Sequence, residues 1–117
     1  MHKLAIVICS RLEGAGQSAV YRALMFVQEL QRAGDDVAVV FEGAGSTAAA
    51  ELSLPSHRFH AIFADVRRSV RGVCRFCAGA YGVLGEIEAA GLPLLAEDRG
   101  HASLRSLLDE GRQIVTF

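Results

Sequence analysis

Apolar positions fall along the chain in two alternating patterns. Leu4-Ala5-Ile6-Val7-Ile8-Cys9 is an unbroken apolar run, the mark of a strand buried on both faces of a parallel sheet. From Ser18 to Ala33, Val20, Leu24, Val27 and Leu30 recur at helical spacing, and Gly34 supplies a stop. Val37-Ala38-Val39-Val40-Phe41 reads as a second buried strand, ended by Glu42-Gly43-Ala44-Gly45. The segment Gly43 to Ser53, rich in Ala and Gly, reads as a loop. A helix is expected from about His57 to Arg68, with Phe59, Ile62, Phe63 and Val66 on one face.

The second half repeats the alternation more weakly. Val70 to Cys74 reads as a short strand, Cys77 to Ala90 as a helix closed by Gly91, and Leu92 to Ala96 as a strand. Ser103 to Glu110 reads as a last helix, with Leu104, Leu107 and Leu108 inward and Gly111 behind it. Gln113 to Phe117 is a final strand. Strands alternating with helices imply right-handed crossovers and a parallel sheet. The expectation is one doubly wound α/β domain over residues 1–117, with five strands, four helices and no helix after the last strand. The flavodoxin-like order 2-1-3-4-5 is the expected topology.

Composition narrows the partners. A chain of 117 residues is the size of one domain. Twelve Lys and Arg against thirteen Asp and Glu leave no electrostatic footprint for nucleic acid, and no basic cluster beside an apolar stretch suits a membrane surface. No apolar run is long enough to span a bilayer, and the N-terminus lacks the pattern of a signal peptide. Three cysteines, an odd count without a disulfide spacing, point to a reducing, cytoplasmic compartment.

In such sheets, ligands bind at the carboxyl ends of the strands near the switch point, here expected between strands 1 and 3. Strand 1 ends at Cys9-Ser10-Arg11, strand 2 at Glu42-Gly43, strand 3 at Cys74-Arg75, and strand 4 at Glu97-Asp98, before His101. Cys77 falls in the first turn of the next helix, where partial positive charge can stabilise a thiolate; Arg71 and Arg75 would add to it. Cys74 and Cys77 are therefore the candidate catalytic residues, with Cys9, Ser10, Glu42, Arg75 and His101 as neighbours of the site. Buried, inert thiols are the bland reading of the same residues.

With these residues in view, the sequence resembles the DsrE/DsrF-like small sulfur-relay proteins over nearly its whole length. The resemblance rests on the apolar first strand, the loop into a long helix, Gly34-Asp35-Asp36-Val37-Ala38-Val39-Val40-Phe41, the central Val73-Cys74-Arg75-Phe76-Cys77-Ala78-Gly79-Ala80-Tyr81-Gly82, and Ile114-Val115-Thr116-Phe117. It implies a cysteine at the end of strand 3 that carries a persulfide between partner proteins. Counting back from the following glycine places Cys74 in that position, and Cys77 matches a second cysteine present in some branches. The resemblance also implies trimers or hexamers. A carrier thiolate must attack an incoming persulfide and leave again, and Cys77 could resolve the product as a disulfide. The expected function is that of a sulfur carrier or sulfurtransferase with donor and acceptor proteins as partners. The alternative is a non-catalytic regulatory module binding a small or nucleotide ligand in the same cleft.

Three rival motifs carry less weight. Gly14-Ala15-Gly16-Gln17-Ser18-Ala19 fits G-x-G-x-x-A, but Ser10 to Glu13 separate it from the strand, so a dinucleotide cofactor is not expected. His57, His60, Cys74 and Cys77 have zinc-ligand spacing, yet Phe59, Ile62 and Phe63 take the buried face of the helix, and no metal site is expected. His101 beside Glu97 and Asp98 could act as a base, or form part of an acidic turn. Gly79, Gly82 and Gly85 form a stripe that suggests close approach of another backbone. In the 2-1-3-4-5 order the first helix would stand alone on its face, so the chain is expected to self-associate as a homo-oligomer.

Overall fold

A computed structural model describes residues 1–117. The first apolar run forms β1 (Lys3–Ile8), followed by α1 (Ala15–Arg32), β2 (Asp36–Phe41), α2 (Gly45–Leu52) and α3 (His60–Val66). A 3-10 turn over Arg67–Ser69 leads into β3 (Val70–Cys74), α4 (Arg75–Ala80), α5 (Leu84–Ala89), β4 (Leu94–Leu95), α6 (Leu104–Asp109) and β5 (Gln113–Thr116). The five strands are parallel, and the fold is α/β as the alternation predicts.

The strand order is β4-β3-β2-β1-β5, not 2-1-3-4-5. The physical reason lies in β2. Its last four residues are buried, whereas the expected order would have set this unbroken apolar strand at the edge of the sheet. The edges are instead taken by the two-residue β4 and by β5, whose residues are at most half-buried. From β1 to β4 the chain steps across the sheet in one direction, so right-handed crossovers set α1 to α5 against one face. The return from β4 to β5 puts α6 on the other.

Two cores bear this out. Leu4, Ile6, Ile8, Val39, Phe41 and Val73 pack with Val20, Leu24, Val27, Leu52, Phe63 and Ile87. Ala5, Val7, Val40 and Cys74 point the opposite way and pack with Ala102 and Leu107. The first helix therefore does not stand alone. The sparsely covered face is the one that carries α6, whose Leu104 and Leu108 remain exposed.

There are six helices rather than four. The segment Gly43 to Ser53 is not a loop but contains α2, whose Ala48, Ala49, Ala50 and Leu52 are buried. Alanine is the strongest helix former, and its small side chain lets the helix settle close to the sheet. Gly45 is required by the same closeness, because a Cβ there would overlap the Ile8 carbonyl oxygen. The helix expected over Cys77–Ala90 breaks into α4 and α5 at Gly82, whose φ of +72° is left-handed. Gly79 and Gly85 have open space where a Cβ would lie, so no backbone of this chain approaches them.

Candidate functional site

β3 and β4 are the only neighbouring strands whose outgoing chains leave toward opposite faces of the sheet. That divergence, not the ends of strands 1 and 3, makes the switch-point crevice. Cys74 closes β3 and serves as the N-cap residue of α4. Cys77 follows one turn later, and its side chain turns back toward the Cys74 core. His101 arrives from the other side of the crevice, on the turn after β4.

That turn is tightly built. Arg99 and Gly100 both have positive φ, 51° and 83°, and Asp98 and His101 exchange backbone hydrogen bonds of 2.9 and 2.8 Å. This is the geometry of a type I′ turn, which needs left-handed backbone at both central residues. Arg99 is the one non-glycine residue of the chain in that region. Glu97 clasps the turn from below: its two carboxylate oxygens accept from the backbone N–H groups of Ala96 and Ser103, each at 3.0 Å. Glu97 is thus engaged in shaping the loop. Phe76 straps the turn to α4 twice. Its N–H donates to the Gly100 carbonyl at 3.0 Å, and its ring stacks on His101 with centroids 4.4 Å apart.

The result brings His101 Nδ1 within 3.5 Å of Cys74 Sγ, and the sulfurs of Cys74 and Cys77 and the histidine nitrogen all lie within 4.8 Å of one another. Both thiols are free and buried, Cys74 wholly so; His101 is half-buried. His101 also lines a cleft of about 500 Å³ with Glu42, Glu97, Asp98 and Arg105. Another cleft, of about 430 Å³, lies among Arg11, Thr47, Glu51 and Val83 and holds neither cysteine nor histidine.

Burial, the hydrogen bond with Cys74 and the Glu42 carboxylate push the Cys77 thiol up to about 11, although the Gly43 backbone pulls the other way. This corrects the expectation that the helix start would lower it: desolvation outweighs the field of a six-residue helix. Arg71 offers no help, since it is bound to Glu110 at 2.6 and 2.9 Å. Arg75 is exposed.

The remaining candidates do not join the cluster. Cys9 lies beyond the end of β1 and is exposed, its thiol raised by partial burial of the sulfur and by Glu42; Ser10 is half-buried beside it. The histidines with zinc-like spacing are used elsewhere. His57 Nδ1 accepts from the Phe59 N–H at 3.0 Å, and His60 donates to the Leu52 carbonyl at 2.8 Å. The glycines of the dinucleotide-like motif are explained locally. Gly14 has a φ of +56°, and a Cβ on Gly16 would overlap the Arg11 carbonyl. The first N–H groups of α1 are taken by the Glu13 and Gly14 carbonyls. Phe76 and the Gly43 backbone were not foreseen as part of the site. An aromatic residue between two cysteines was the available sign of the first; the second has none in the sequence.

No known protein-family profile matches the chain. An uncharacterized protein of Methanocaldococcus jannaschii, MJ0733, is 34% identical over 92 residues, which is 79% of this chain and 74% of that one. Among solved structures, a conserved protein of unknown function from Bacteroides thetaiotaomicron, BT1422, superposes with a TM-score of 0.67 at 14% identity. The match covers 97% of this chain and 94% of the other, and it establishes a shared fold. No helix is long and apolar enough to cross a membrane.

Proposed function

The chain belongs to the same family as the uncharacterized protein MJ0733 of Methanocaldococcus jannaschii, and for this member we propose a sulfur carrier of the DsrE-like type that accepts persulfide sulfur on Cys74 in a cytoplasmic setting. The observation that carries this reading is the Cys74–Cys77–His101 cluster at the crevice between β3 and β4. His101 takes the proton of Cys74, and the resulting thiolate attacks the terminal sulfur of a donor R–S–SH. The donor S–S bond breaks, R–S⁻ leaves and collects the proton, and Cys74 holds the sulfur as Cys74–S–SH. An acceptor thiolate then attacks that outer sulfur and releases Cys74 as a thiolate; no net oxidation occurs. Cys74 is fully buried, so both steps require local opening of the side chains that cover its sulfur while His101 stays beside it.

Cys77 has the opposite task. Burial first, and the hydrogen bond with Cys74 second, push its thiol up to about 11, so it stays protonated at neutral pH. Attack on the inner sulfur of the persulfide, which would expel HS⁻ and close a disulfide, is correspondingly slow. The persulfide lasts long enough to be passed on. After incubation of reduced protein with a small persulfide donor, intact mass spectrometry should show one added sulfur on the wild type and on Cys77→Ser, and none on Cys74→Ser. An adduct on Cys74→Ser at the wild-type level would move the role to another cysteine.

Self-association is part of the same proposal. The face that carries only α6 keeps Leu104 and Leu108 exposed, and a neighbouring subunit would cover them. Light scattering on the eluting protein should give a mass of three or six chains, as the resemblance implies. A monomer of 12.5 kDa at micromolar concentration would contradict it.

A further inference from the structure

We propose that Cys74, Cys77 and His101 also form a binding site for a thiophilic divalent cation, zinc foremost, with a fourth position open to the cleft. The proposal does not depend on the sulfur-carrier reading, though it uses the same side chains. Around a tetrahedral zinc, sulfur at about 2.3 Å and nitrogen at about 2.0 Å lie roughly 3.5 Å apart, and two sulfurs roughly 3.8 Å apart. Cys74 Sγ and His101 Nδ1 are already 3.5 Å apart, and no pair in the trio exceeds 4.8 Å. Closing the set needs shifts of roughly 1 Å.

Although Arg105 also lines the cleft, three carboxylates there, Glu42, Glu97 and Asp98, leave the lining suited to a cation. Two thiolates would balance a divalent ion, and Glu42, which lines the adjoining cleft, adds negative charge near Cys77. Arg71, the nearest basic residue along β3, is held by Glu110. Cysteines bind such an ion as thiolates, so loading the site releases protons. The ring orientation is fixed in advance, because Phe76 stacks on His101. Three protein ligands with one open position is the arrangement of zinc sites that take a further ligand rather than purely structural ones. Metal and sulfur cannot share Cys74, so a bound zinc would block sulfur loading.

The test uses reduced, metal-stripped full-length protein without oxygen, titrated with zinc against a chromophoric chelator and read in parallel by native mass spectrometry. One zinc per chain is expected, with a sub-micromolar Kd. His101→Ala and Cys77→Ser, each checked for a wild-type circular dichroism spectrum, should bind at least about 10-fold more weakly. His57→Ala/His60→Ala should bind as wild type does. No stoichiometric zinc at micromolar excess, or equal affinity in folded His101→Ala, would overturn the proposal. Sulfur uptake measured on the metal-free protein keeps the two readings apart: an adduct without zinc binding sinks only the metal site, and zinc binding without an adduct sinks only the carrier.

Discussion

Replacing Arg112 with Met should lower stability by about 2 kcal/mol, the size expected when a buried side chain loses its hydrogen bonds to charged partners. The Arg112 side chain is only 7% exposed. It donates to Glu110 at 2.8 Å, to the Asp36 carboxylate at 2.9 Å and to the Leu4 carbonyl at 3.1 Å, tying the N-terminal ends of β1 and β2 to the turn before β5. Met fills much of the volume but satisfies none of these acceptors. Thermal unfolding should shift down by roughly 10 °C for a chain of this length. A loss below about 1 kcal/mol would mean that the network is solvated and contributes little.

The same network sets the acid limit. Hydrogen bonds from Arg71 and then Arg112 hold the Glu110 carboxyl at about 2, against an ordinary value of 4.5. A depressed folded-state pKa stabilises above the unfolded pKa, so the contribution is full above about pH 5 and drains away as pH falls toward 2. In Arg112→Met that part of the acid dependence should shrink, with Arg71 preserving the remainder.

The second large effect concerns His101. Without it, Cys74 loses the imidazole 3.5 Å from its sulfur, and His101→Ala should take up sulfur about 10²-fold more slowly at neutral pH. The gap between variant and wild type should narrow as pH rises, because a thiol that ionises unaided does not need the imidazole. Time-resolved intact mass spectrometry reads both rates. Equal rates at neutral pH, or a gap that persists at high pH, would show that His101 only fills space.

Much of this site was legible in the sequence. Each long apolar run became a strand, β3 at the limits expected, Val70–Cys74. The paired cysteines fell at the strand end and first helical turn where spacing put them. What the pattern could not supply was the order of strands, because alternation fixes the crossovers but not the neighbours. That error put Cys9 beside the switch point. The burial of β2 moves the crevice to β3 and β4, where His101, already a candidate neighbour from its place after strand 4, meets Cys74 27 residues away. The α2 helix was missed because Gly43 and Gly45 were read as breakers. One opens the turn, and the other lets the helix lie against Ile8. The lowered Cys77 pKa was wrong for a different reason: sequence shows a helix start but not the desolvation around it.

The location of the transferred sulfur tests the central claim most directly. Trypsin cuts after Lys3, Arg11, Arg71, Arg75 and Arg99, so Cys9, Cys74 and Cys77 leave in the separate peptides 4–11, 72–75 and 76–99. Wild-type protein loaded with a persulfide donor, alkylated and digested should carry the extra sulfur on Gly72-Val73-Cys74-Arg75. Finding it on the peptide of Cys77 or of Cys9, with 72–75 unmodified, would contradict the account.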